Sequence, residues 1–113
     1  MAAPLHELLR AAGEPTRLRI LNLLRRRSLC VCDLQVVLGI PQSTVSRHLA
    51  ALRHVSLVVD RRAGNRVLYA LTPATSPQEE ALLRLMQDCS NSEEILRSDV
   101  ARLRRAQREG RCP

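Results

Sequence analysis

Gly39-Ile40-Pro41-Gln42-Ser43-Thr44-Val45-Ser46-Arg47-His48-Leu49-Ala50-Ala51-Leu52-Arg53 reads as a corner followed by a helix with two unlike faces. Gly39 stops whatever precedes it, Ile40-Pro41-Gln42 is a short connection, and Ser43 is placed to cap the helix that follows. Val45, Leu49 and Leu52 fall at i, i+4 and i+7, one apolar stripe at helical spacing. The opposite face carries Thr44, Ser46, Arg47, Ala50 and Arg53. Small hydroxyl and amide side chains beside an arginine suit close approach to base edges: Gln pairs with adenine and Arg with guanine. Gln42, Ser43, Thr44, Ser46 and Arg47 are therefore the candidate base readers, and His48 and Arg53 are placed to reach the phosphate backbone.

Working upstream, Asp33 sits where an acid favours a helix start, and Leu34, Val37 and Leu38 give that helix its apolar face. Further back, Leu5, Leu8, Leu9 and Ala12 mark a first helix that stops at Gly13. Leu18, Leu21 and Leu24 mark a second, opened by Pro15 and running to about Arg26, before a break at Ser28-Leu29. Working downstream, residues 57–62 and 66–71 read as two strands joined by Ala63-Gly64-Asn65, with 67, 69 and 71 on one side. Two short helices around a Gly-containing turn, then a hairpin, is the order of a winged helix-turn-helix, mainly α with one small β-hairpin. Its second helix enters the major groove. The wing carries Arg61, Arg62, Asn65 and Arg66, placed to hold phosphate or enter a minor groove.

The charge agrees. The 113 residues carry a formal +7, and lysine is absent, so every basic residue is an arginine. A strong positive balance calls for a polyanionic partner. The excess is confined to the first two-thirds, since beyond residue 78 seven arginines meet seven acids. Tyr69 is the only aromatic residue, which makes the core aliphatic and leaves no stacking platform for single strands. A glycine-rich phosphate loop, a nucleophile–base pair and a histidine–carboxylate cluster are all missing, so the chain does not read as an enzyme.

A Pro/Ser/Thr linker at 72–77 leads to a helical region from about 78 to 107 with the stripe Leu82, Met86, Cys89, Leu96, Val100 and Leu103. The stripe keeps phase across Ser90–Glu93, where a capping-box pair would divide it into two helices. It is long enough to serve as a dimer seam, or else packs back on its own domain. The organisation expected is one domain over 1–113: a DNA-binding core and wing at 5–73, a helical dimerisation region at 78–108, and a flexible tail at 109–113. With no run near 20 apolar residues and no signal-peptide pattern, the chain is expected in the cytoplasm, where thiols stay reduced.

That expectation makes Cys30, Cys32, Cys89 and Cys112 candidates for metal or redox chemistry rather than a disulfide framework. Cys30 and Cys32 bracket a helix start, which favours thiolate, and thiolates select soft ions. Cys89 lies on the apolar stripe, where a small buried hydrophobe is an equal reading. None of His6, His48 and His54 lies in the last helix.

Leu29-Cys30-Val31-Cys32-Asp33-Leu34 resembles the metal-binding motif of the arsenical-resistance repressors of the ArsR/SmtB family. Gly13-Glu14-Pro15-Thr16-Arg17-Leu18-Arg19-Ile20-Leu21, Gln42 to Leu49, Leu52-Arg53 and the hairpin extend the resemblance over about 5–73. The resemblance implies a homodimer joined through its first and last helices, sitting as a repressor on an operator of double-stranded DNA with dyad symmetry. It implies As(III) or Sb(III) as the inducer, bound by Cys30 and Cys32, with cadmium or lead at a thiolate site as an alternative; the cysteine pair by itself also leaves open a repressor switched by a reversible disulfide at Cys30 or Cys32. Trivalent arsenic wants three thiolates. Some relatives carry a third cysteine just after the pair, but Gln35-Val36-Val37 stand here, so either the third ligand comes from elsewhere, with Cys89 and Cys112 as candidates, or the site is two-coordinate; Cys89 with Cys112 is an alternative site.

Overall fold

The computed structural model describes residues 3–110 as six helices and one hairpin. Helices α1 (Leu5–Ala12) and α2 (Pro15–Leu24) meet at a corner; α3 (Val31–Leu38) and α4 (Gln42–His54) form the helix-turn-helix. Strands β1 (Val58–Ala63) and β2 (Arg66–Leu71) form the wing, and α5 (Pro77–Cys89) and α6 (Glu94–Glu109) complete the chain.

The expected stripes of α3 and α4 are core, whereas Leu5 and Leu9 of α1 lie outward and α2 buries Ile20 and Leu23 beside the expected Leu21 and Leu24. Ile20, Leu21 and Leu23 of α2, Leu34 of α3 and Val45, Leu49 and Leu52 of α4 are at most 1% exposed. Two glycines shape the corners for different reasons. Gly39 closes α3 at φ +68°, where a side chain is strained, and its N–H donates to the Gln35 carbonyl. Gly13 has an ordinary φ of −80°; an added Cβ would instead lie 2.8 Å from the Leu9 carbonyl oxygen.

The wing is a two-residue hairpin, with Val58 opposite Leu71 and Ala63 opposite Arg66, turning through Gly64 at φ +64°. Tyr69 and Leu71 lean on the core. Leu29 and Tyr69 exchange both backbone hydrogen bonds, at 3.0 and 2.8 Å, which ties the loop before α3 to the wing.

Two local expectations are corrected. Ser43 does not cap α4: the helix starts one residue earlier, and the Pro41 carbonyl accepts from the Thr44 and Val45 N–H groups. The C-terminal region is two helices, but Ser90 and Glu93 form no capping box. Ser90 ends α5 with its hydroxyl on the Gln87 carbonyl, and Glu93 precedes α6 without a side-chain cap. The signal that α5 does use lies earlier, where Ser76 accepts from the Glu79 N–H and the Glu79 carboxylate accepts from Thr75. Of the two readings of the C-terminal stripe, burial favours packing on its own domain, because Leu82, Met86, Leu96, Val100 and Leu103 are buried within this chain.

One contact across the fold had no sequence signal. Asp99 of α6 is fully buried and receives Arg19 of α2 through two bonds of 2.8 and 2.9 Å, plus Arg102 at 2.7 Å. The hydrogen bond to Asp99 outweighs burial and holds the Arg19 pKa above its ordinary value. This pair fixes α6 against α2. No helix among the described residues is long and apolar enough to cross a membrane.

Candidate nucleic-acid interface and thiol site

Helix α4 is held on α3 by its buried stripe, which leaves its other face outward. Gln42, Ser43, Ser46 and Arg47 are exposed together, with Thr44 half-buried at their edge. Arg47 makes no ion pair among the described residues. The other two candidates on this helix are engaged. Arg53 pairs with Asp60 of β1 at 3.3 Å, joining the end of α4 to the base of the wing. His48 is half-buried, with Nδ1 3.5 Å from the Arg17 guanidinium and 3.8 Å from the Glu14 carboxylate.

That network was not visible in the sequence. Glu14 caps α2 by accepting from the Arg17 N–H, and Arg17 Nε donates to the Ala11 carbonyl at 2.7 Å. One cluster therefore sets the α1–α2 corner and touches the back of α4.

On the wing, Arg61, Arg62 and Asn65 are exposed. Arg66 is half-buried and lines a groove of about 410 Å³ with Arg27, Ser28, Leu29 and Asp33.

The thiol site begins at Cys30, the N-cap residue of α3, which is 7% exposed with a free thiol. The Asp33 carboxylate accepts from the Cys30 N–H at 3.1 Å and from its Sγ–H at 3.2 Å. The two residues cap the helix together. Cys32, the second residue of α3, is exposed at the surface. Cys30 and Cys89 carry free thiols.

Cys89 is half-buried in a separate apolar cavity of about 300 Å³ between α1, α2, α5 and α6, where Leu18, Met86 and Leu96 are neighbours. No residue of α3 lines that cavity, so the structure does not bring Cys89 to Cys30. Cys112 lies outside the described residues. Among the described residues no three His, Cys, Asp or Glu side chains are grouped to hold a metal ion, and His6 and His54 stand exposed and apart.

The model for bacterial regulatory proteins of the arsR family matches residues 14–59, the helix-turn-helix and the start of the wing. The arsenic resistance transcriptional regulator ArsR1 of Pseudomonas putida is 38% identical over 92 residues, 80% of this chain and 70% of the relative. The chain belongs to the ArsR family. Among solved structures, reduced HlyU from Vibrio cholerae superposes with a TM-score of 0.65 at 34% identity, covering 75% of this chain and 86% of that one. The cadmium metal-sensor CMTR from Mycobacterium tuberculosis follows with a TM-score of 0.56 at 41% identity, over 73% and 83% of the two chains. Against several other curated ArsR-type relatives the chain spans a little over half their length, 53–58%. These relatives are transcriptional regulators rather than enzymes, and the winged helix-turn-helix expected from the sequence is the fold they share with this chain.

Proposed function

We propose that this ArsR-family chain is a homodimeric repressor that reads an operator with Gln42, Ser43, Thr44, Ser46 and Arg47, and steadies it with Arg61, Arg62, Asn65 and Arg66. It lets go when As(III) or Sb(III) binds the reduced thiols of Cys30 and Cys32. The observation that carries the switch is the double role of Cys30. It is a free thiol and also half of the cap of α3, the helix on which α4 is packed.

Two thiolates at a helix start suit a soft, thiophilic ion. Ligation replaces the Cys30 Sγ–H that Asp33 accepts and sets a thiolate against that carboxylate. Losing an N-cap costs about 1 kcal/mol. Allosteric coupling energies typically run from about 1 to 3 kcal/mol. Cap loss alone therefore gives weak release, and the remainder comes from displacing Leu34 and Leu38 against α4. Cys112 is the nearest third ligand in sequence to the end of α6, since Leu103, Ala106, Gln107 and Gly110 share the groove with Leu29 and Asp33.

A second reading rests on the exposed Cys32 standing two residues from the free thiol of Cys30. Oxidation of two thiols by peroxide removes two electrons and two protons and yields two waters, and the resulting disulfide, rather than a metalloid, would set DNA affinity. Parallel operator titrations with As(III), Sb(III), Cd(II), Zn(II) and peroxide separate the two. The metalloid reading expects release by As(III) from the reduced protein, and no release from the double variant C30S/C32S, which still binds DNA. Release by peroxide alone, with As(III) inert, would favour oxidation.

A further inference from the structure

The basic surface does not end at the wing. Arg27 lies in the α2–α3 loop and shares one groove with Arg66 at the first position of β2, beside the wing tip. On its other side Arg27 shares a second groove, of about 360 Å³, with Arg26 and with Arg104 of α6. The three elements thus set their arginines in one continuous ridge running away from the wing. Arg26, Arg27 and Arg104 are exposed, and none has an acidic partner among the described residues. Among the described residues Asp33 is the single carboxylate lining either groove, and it is occupied by the Cys30 N–H and thiol. Crowding is already felt at the neighbour, where burial and then the Arg26 charge hold the Arg25 pKa below its ordinary value.

The guanidiniums of Arg26, Arg27 and Arg104, set close together without acidic partners among the described residues, repel one another, and a polyanion laid across them relieves that repulsion. We infer that this ridge is a second DNA surface, which takes the phosphate backbone of duplex flanking the operator beyond the wing. The inference rests on the wing lying on DNA. Phosphate contacts of this kind carry no sequence information; they add affinity and salt dependence. An acidic protein partner is the competing occupant, but continuity with the wing favours DNA.

The test uses a duplex selected by the wild-type protein from a randomised pool, trimmed to its footprint or extended on each side by about ten base pairs, one helical turn. Binding is followed by fluorescence anisotropy between about 50 and 200 mM salt, where each phosphate contact adds about 0.9 to the slope of log affinity against log salt. The wild type should bind the extended duplex with the steeper slope. R26Q/R27Q/R104Q should lose that increment while matching the wild type on the trimmed duplex, and R26K/R27K/R104K should keep it. Circular dichroism melts confirm that both variants fold. Equal slopes for wild type and the Gln variant on the extended duplex would overturn the inference, as would an equal loss on both duplexes. R61Q/R62Q run alongside keeps the two ideas apart: no effect of that variant on either duplex would sink the wing reading itself.

Discussion

At the residue scale, the side chains offered to DNA differ in how free they are. Arg47 projects from the exposed face of α4 with no ion-pair partner among the described residues, whereas Arg53 is held by Asp60 and His48 sits against Arg17 and Glu14. The sequence placed all three on the recognition helix, which periodicity does well, but could not show which were engaged, because their partners come from other elements. Arg47→Ala is expected to weaken operator binding by about 1–3 kcal/mol if the guanidinium reads a base. Competition anisotropy against base-pair variants of the operator checks it, and a loss uniform across sequences would demote Arg47 to a phosphate contact. Cys30 shows the same limit from another side. Its place in a thiol motif was legible, but its bond to Asp33 makes the motif a cap, and the cysteine a structural part of α3.

At the element scale, the helix and hairpin boundaries followed from apolar spacing and turn chemistry, with shifts of a residue or two at α2, α4 and β1. The missed features share a cause. Pro41 opens α4 through its carbonyl alone, so no capping side chain announces it. The Arg19–Asp99 pair joins residues 80 apart, and local pattern carries no information at that range. That pair is expected to hold α6 in place. Arg19→Met leaves a fully buried carboxylate with Arg102 alone, and breaking a buried pair in this way costs about 3–5 kcal/mol. Arg19 is 20% exposed, so solvent screening puts the loss towards the lower end. Urea denaturation of the single variants and of Arg19→Met with Asp99→Leu measures it. The double variant should recover much of the loss, since an apolar pair removes the stranded charge.

At the scale of the whole molecule, the stripe that looked like a dimer seam is spent on the protein's own core, which moves the proposed interface elsewhere. Leu5 and Leu9 of α1 and Leu85 of α5 remain outward at 52%, 52% and 58% exposed, around a cavity lined with Leu8, Ala81 and Leu82. A homodimer through this face would cover them. Leu85→Arg is expected to yield monomers in sedimentation analysis and to weaken binding to a two-half-site operator far more than to a single half-site. An unchanged dimer would place the interface on another surface.

The central claim is that the thiol site and the DNA face are two ends of one equilibrium. If As(III) weakens operator binding by some factor, bound operator must weaken As(III) binding by the same factor. The direct measurement is the As(III) affinity of the fully reduced protein, alone and saturated with its selected operator. The two affinities should differ by the factor seen in the release titration, about 5- to 150-fold for typical coupling energies. Equal As(III) affinity with and without DNA would contradict it, and would leave Cys30 as a helix cap with no part in the switch.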